Sequence, residues 1–137
     1  MTEETTELEL PSSVEAVARA AEMTANVASR LGLDEEAAFG VDMAVREAVT
    51  NAVLHGNRLD EAKTVRLTLA SSPAALTVTV RDRGEGFDPE SVPDPTVEQN
   101  LLKASGRGIL FMRTFMDKVE WTLHPEGGTV VRMTKKL

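Results

Sequence analysis

Apolar and polar residues alternate from Glu7 to Leu10, a two-residue period that predicts a short strand ended by Pro11. Ser12 and Glu15 then stand at the S-x-x-E spacing of a capping box. Val14, Val17, Ala18, Ala21, Ala25 and Ala28 follow at helical spacing, and Gly32 is placed to stop that helix. Asp34 is a cap for a second helix, with Glu35 and Glu36 suited to its positive end. The buried stripe of this helix reads Val41, Ala44, Val45, Ala48 and Ala52, and Gly56 offers a left-handed stop.

Two alternating stretches come next. Val65, Leu67 and Leu69 share one face, and Leu76, Val78 and Val80 share another, with Ser71-Ser72-Pro73 as the turn between them. So short a connection predicts antiparallel pairing. From Gly84 to Ala104 the pattern breaks, and Pro89, Pro93 and Pro95 argue against regular structure until about Val97. Order resumes at Ser105, where Ile109, Met112, Phe115 and Met116 make an apolar helix face. Val119, Trp121 and Leu123 alternate as a strand, and Pro125-Glu126-Gly127-Gly128 turns the chain into a last strand near Thr129–Thr134. The order βααββ–loop–αββ predicts an α+β two-layer sandwich, with three helices on one face of a largely antiparallel mixed sheet.

The 137 residues suit one domain, and neither repeats nor a linker divide them. A net charge of −7 repels phosphate backbones, so nucleic acid is not an expected partner. The absence of cysteine removes disulfides, thiolate metal sites and cysteine nucleophiles together. No apolar run reaches the ~20 residues of a membrane span, and the opening MTEETTELEL is acidic rather than signal-like. The expected location is the cytoplasm, without a membrane partner.

Candidate chemistry lies first on the second helix. Glu47, Asn51 and His55 are spaced by four, so they form one slowly turning stripe beside the alanine and valine stripe. Asn51 offers a neutral oxygen suited to Mg²⁺, and Glu47 can accept a proton from an attacking hydroxyl. The plainer alternative is a solvated helix edge with ordinary polar pairs. Thr50, Ala48 and Ala52 are small and permit close approach by a ligand. His55 lacks a serine–aspartate framework and has only His124 as a fellow imidazole, so its expected part is to order the helix end by hydrogen bonds.

Asp82 continues the apolar face of its strand, two residues beyond Val80. A carboxylate aimed at a core needs a donor, and the amino group of adenine is one. Gly84 and Gly86 would let the backbone turn and approach a flat ligand, although an Asp/Gly turn after a strand is also an everyday feature. Gly106-Arg107-Gly108 opens the third helix with free N–H groups, either a phosphate-binding entry or simply a flexible helix start. Neither dinucleotide nor P-loop spacing is present.

Taken together and in this order, the three segments resemble the GHKL ATPase superfamily, over nearly the whole chain. VREAVTNAVLHGN (Val45–Asn57) is similar to its N-box, RDRGEGFDPE (Arg81–Glu90) to its first glycine box, and SGRGILFMRTFMDKVEW (Ser105–Trp121) to its second. The wording is most similar to the bacterial anti-sigma-factor serine/threonine kinases of partner switching. The resemblance implies a Bergerat-type ATP-binding fold, with Asn51 holding Mg²⁺ and Glu47 as general base. It implies that Asp82 reads adenine, that Gly84 and Gly86 shape the base pocket, and that Gly106 and Gly108 face the phosphates. Asp88 to Ala104 would form the ATP lid, and Lys103 or Arg107 would meet the terminal phosphate.

Fewer than fifty-one residues precede Asn51 and none is histidine, so self-phosphorylation on histidine is not expected. The implied activity is Mg-ATP-dependent phosphorylation of serine or threonine on a small anti-sigma-factor antagonist, with capture of a sigma factor and a homodimeric assembly. The alternative is a module that binds ATP and sequesters a partner without transferring phosphate.

Overall fold

Alternation of side chains along each strand creates one apolar and one polar sheet face, and the helices bury the apolar one. The computed structural model describes residues 3–84, 110 and 112–137. Five strands form one sheet: β1 (Glu4–Pro11), β2 (Thr64–Ser71), β3 (Ala75–Arg81), β4 (Lys118–Leu123) and β5 (Thr129–Lys136), in the order β1-β2-β3-β5-β4. Every neighbouring pair is antiparallel, so the expected α+β sheet holds but contains no parallel pair among the described residues. Leu67, Leu69, Leu76, Val78, Val80, Val131 and Met133 are buried on the inner face. The opposite face carries Thr68, Thr77, Thr79, Thr122 and Thr134, β-branched residues that suit a pleated, half-solvated surface.

Two helices cover the inner face: α1 (Glu15–Leu31) and α2 (Glu35–Asn51). Ala16, Ala20, Ala44 and Ala48 are buried in the core shared by helices and sheet, and their small size lets the layers approach closely. Gly32 adopts φ 68° and closes α1, with its own N–H and that of Leu33 bonding back to the last-turn carbonyls. Asp34 caps α2 by accepting the N–H of Ala37 at 2.7 Å. A third helical stretch, α3, includes residues 110 and 112–115, with Met112 and Met116 buried against the core. Gly86, the loop from Asp88 to Ala104 with Lys103, and Gly106, Arg107 and Gly108 lie outside the described residues.

Three local expectations need correction. Strand β1 begins at Glu4 rather than Glu7, because backbone pairing with β2 extends beyond the alternating side chains. Ser12 is not the cap of α1: Val14 holds that position without a side-chain bond. Instead Ser12 is buried, donating its hydroxyl hydrogen to the Lys63 carbonyl at 2.5 Å and accepting from Asn57. Gly56 is not a left-handed stop. The helix widens after Asn51 into a π turn, Ala52–Gly56, closed by the Asn57 N–H on the Ala52 carbonyl at 2.8 Å. The left-handed residues come later, at Arg58 and Leu59.

Candidate functional site

The end of α2 and the end of β3 meet at one cleft. Ala48 and Asn51 line it from α2, Ala52 from the π turn, Val80 from β3 and Asp82 from just beyond the β3 end. Thr129 and Val131 of β5, Trp121 of β4 and Met112 of α3 complete its described walls. Three chain segments far apart in sequence therefore supply one concavity, apolar at its floor with polar groups at its sides.

Asp82 is fixed from several directions. Its backbone N–H donates to the Thr129 carbonyl at 3.0 Å. Its Oδ1 accepts the N–H of Thr129 at 3.1 Å and that of Gly84 at 3.0 Å. Oδ2 has no hydrogen bond among the described residues. Burial pushes the carboxyl upward from its ordinary pKa, opposed by the two N–H bonds and by the charges of Lys63 and Arg81. A fixed carboxylate with one spare oxygen can accept a hydrogen from a ligand amino group.

The surrounding glycines admit this arrangement by lacking a side chain. A Cβ on Gly56 would overlap the Asp82 carboxylate, and one on Gly84 would overlap the Gly56 carbonyl. Gly84 thus serves a backbone-to-backbone approach at the end of β3. The π turn and the β3 end are thereby pressed directly together.

Asn57 ties the same junction and was not assigned a role from sequence. It is buried, its Nδ2 donates to Ser12 Oγ at 2.7 Å and to the Thr64 carbonyl at 3.1 Å, and its Oδ1 accepts the Arg83 N–H at 2.7 Å. One amide thus joins the β1–α1 turn, the start of β2 and the residue after Asp82. The only sequence signal was an Asn directly after a glycine at a helix end, which also describes countless surface turns. His55, expected to order this helix end, is exposed and makes no hydrogen bond among the described residues. His124 is engaged in the β4–β5 turn, where its Nδ1 accepts the Glu126 N–H at 3.0 Å.

Asn51 and Glu47 differ from Asp82 in being unbonded. Asn51 is buried, yet its Nδ2 finds no partner among the described residues. A buried amide left without a partner is uncommon and costs about 1–3 kcal/mol, which marks the group as one that a ligand can satisfy. Glu47 lies one turn earlier on α2, half-buried and without a bond or ion pair among the described residues. Burial raises its carboxyl pKa, bringing its proton affinity closer to that of a working base. Among the described residues no three acidic or histidine side chains gather into a metal cage. A cation here would depend on Asn51 together with ligand and water oxygens, which is the habit of Mg²⁺.

Comparison with known proteins places the chain in a family. Residues 10–135 match the family model of the histidine kinase-like ATPase domain. The anti-sigma F factor of Clostridium perfringens is 36% identical over 99 residues, covering 71% of this chain and 71% of that protein. That of Bacillus subtilis is 37% identical over 95 residues, 68% of this chain and 65% of the relative. The serine-protein kinase RsbW of Oceanobacillus iheyensis is 28% identical over 137 residues, with 94% and 84% covered. A chain of the SiaB–SiaC complex from Pseudomonas aeruginosa superposes with a TM-score of 0.65 at 13% identity, over 96% of this chain and 89% of its own, and so shares the fold. The chain belongs to the histidine kinase-like ATPase domain family, in the group that includes the anti-sigma F factors.

Proposed function

We propose that this chain is an Mg-ATP-dependent serine/threonine protein kinase that acts as an anti-sigma regulatory factor and phosphorylates a small antagonist protein. The observation that carries the reading is the unpartnered buried amide of Asn51, in the same cleft as a fixed Asp82 carboxylate with a spare oxygen. ATP with its Mg²⁺ supplies the transferable phosphoryl group when bound. Asp82 accepts from the adenine amino group through Oδ2, and Asn51 turns its amide oxygen toward the metal. Glu47 takes the proton of the attacking serine or threonine hydroxyl. In the same reading Gly84 and Gly86 shape the base pocket, Gly106 and Gly108 offer N–H groups to the phosphates, and Lys103 or Arg107 meets the terminal one.

The antagonist docks outside the cleft, since its hydroxyl has to reach Glu47 beside α2. A net charge of −7 gives phosphorylation a direction: a new phosphate on the antagonist is repelled, and the grip weakens. A homodimer and sigma-factor capture belong to the same reading, as does a cytoplasmic site of action, where ATP is available. Among the described residues no helix is long and apolar enough to cross a membrane.

Calorimetry with Mg-ATP, GTP and Asp82→Asn tests the nucleotide assignment. ATP is expected to bind, GTP to bind poorly, and the variant to lose ATP affinity; equal affinity for the two nucleotides would remove the role given to Asp82. Labelled ATP with an affinity-captured antagonist tests transfer, and a serine-to-aspartate antagonist should be released. Tight ATP and antagonist binding without label transfer would instead establish a sequestering module.

A further inference from the structure

Trp121 is the only tryptophan of the chain and it lines the cleft that holds Asp82. In the sheet it pairs with Val131 of β5, which pairs in turn with Val80 of β3. The three side chains form one row across the inner face, and all three line the cleft. In the next row inward, Val78 and Met133 are completely buried beneath the helices. Trp121 itself is half-buried, as is Val119 in that inner row, both on the edge strand β4.

Arg113 of α3 stands over the ring, with its guanidinium carbon 5.2 Å from the ring centroid. Such a cation–π contact is worth about 2- to 5-fold in a local equilibrium at an exposed site. With the cation over it, the ring is restrained in orientation where it packs against the core and lines the cleft. A valine or leucine would serve as well if this position only filled a core. An oriented aromatic beside a fixed carboxylate with a spare oxygen instead suits a flat heteroaromatic ring carrying an amino group.

We propose that Trp121 is the aromatic wall of the nucleobase end of the cleft, held in orientation by Arg113, and that it contributes affinity for a purine ring. The proposal rests on the nucleotide reading above and adds to it a binding residue and the residue that positions it.

The test uses the full chain and Mg-ATP, with calorimetry and tryptophan emission run in parallel. Emission comes from Trp121 alone, so it should change saturably with the calorimetric Kd, and ATP should shield the ring from acrylamide quenching. Trp121→Phe should keep affinity within about threefold. Trp121→Val should lose about 5- to 100-fold, the range of base–aromatic contacts, while still melting cooperatively. Arg113→Gln should lose about 2- to 5-fold. Calorimetric binding with unmoved emission and quenching overturns the proposal, as does a folded Trp121→Val that binds ATP like the wild type. If the valine variant fails to fold, the wild-type emission and quenching decide. Absence of calorimetric binding overturns the nucleotide reading itself, and the proposal with it.

Discussion

The two sides of the cleft are built on opposite principles. At the β3 end, Asp82 is gripped by two N–H groups, wedged against Gly56, and braced through Arg83 by the buried amide of Asn57. On α2, Asn51 lines the cleft with its Nδ2 unpartnered, and Glu47, one turn earlier and outside the lining, makes no hydrogen bond among the described residues. A group that reads a base must be in place before the ligand arrives, so the fold fixes it. A base has to keep its lone pairs for the reaction, and an open amide N–H is left for an acceptor on a ligand, so the fold leaves both unsatisfied, at a cost in stability. Substitutions at the gripped end should therefore damage folding, and those on the open side should damage chemistry.

The largest effect is expected on the open side. Glu47→Gln removes the proton acceptor but keeps the shape, so phosphotransfer to the antagonist should fall by ~10²–10⁴. ATP affinity measured by calorimetry should stay within a few-fold, and thermal stability should not fall. Loss of ATP binding in this variant would make Glu47 a structural residue and erase the distinction between the two sides.

At the gripped end the expected loss is in folding. Asn57→Ala strands the Arg83 N–H and the Thr64 carbonyl beside the buried Ser12 hydroxyl, and should cost about 2–4 kcal/mol in urea unfolding. Gly56→Ala drives a methyl group into the Asp82 carboxylate and should cost about 1–3 kcal/mol. His55→Ala, one residue away in sequence, should stay within about 0.5 kcal/mol because the ring is exposed and unbonded. Equal losses at His55 and Asn57 would mean that the amide junction does not brace the site.

The same division explains what could be read from sequence. The stripes of α2, the alternation of β2 and β3, the Asp34 cap and the Gly32 stop are local patterns, set by period and by one residue's conformational preference. They place Glu47, Asn51 and Asp82 on the right elements. The grip on Asp82 is not local: Thr129 reaches it across 47 positions, and Asn57 reaches Ser12 across 45. Ser12 shows the conflict directly, because its spacing to Glu15 suits a cap while a distant amide and carbonyl take its hydroxyl instead. The π turn was equally hidden, since one added residue in a helical turn leaves the apolar pattern almost unchanged. Trp121 read as one member of an alternating strand, because alternation says which face a residue takes but not which cleft it lines.

A smaller effect separates the cost of an open group from its use. Asn51→Leu replaces an unpartnered buried amide with an apolar side chain of similar reach. Without nucleotide, its urea midpoint should rise, equivalent to about 1 kcal/mol of added stability. ATP binding and phosphotransfer should both be lost, since Asn51 would hold the metal that helps to bind the phosphates. A destabilised nucleotide-free Asn51→Leu would show that the amide already has a partner in the free protein.

The smallest effect is in the pH dependence, where two glutamates should move in opposite directions. Burial raises the folded-state pKa of Glu47, so its contribution is present below the unfolded value and is lost as pH rises through the raised one. Glu9, on β1 at the sheet edge, is held below its usual range by a hydrogen bond from Thr64 at 2.7 Å, with Arg66 adding to it. Its contribution is present above the unfolded value and is lost as pH falls through the lowered one. Relative to wild type, Glu47→Gln should therefore gain stability as pH rises from about 4 to 7, while Glu9→Gln should show its full deficit at pH 7 and recover part of it only as pH falls to about 4. Both changes should be modest, because Glu47 is partly solvated and Glu9 forms an exposed pair. Chemical denaturation of the three proteins at the two pH values, without nucleotide, measures the difference. If both variants shift in the same direction, Glu47 is not set apart from an ordinary surface carboxylate, and the raised proton affinity offered for its role as base has no support in the folded protein.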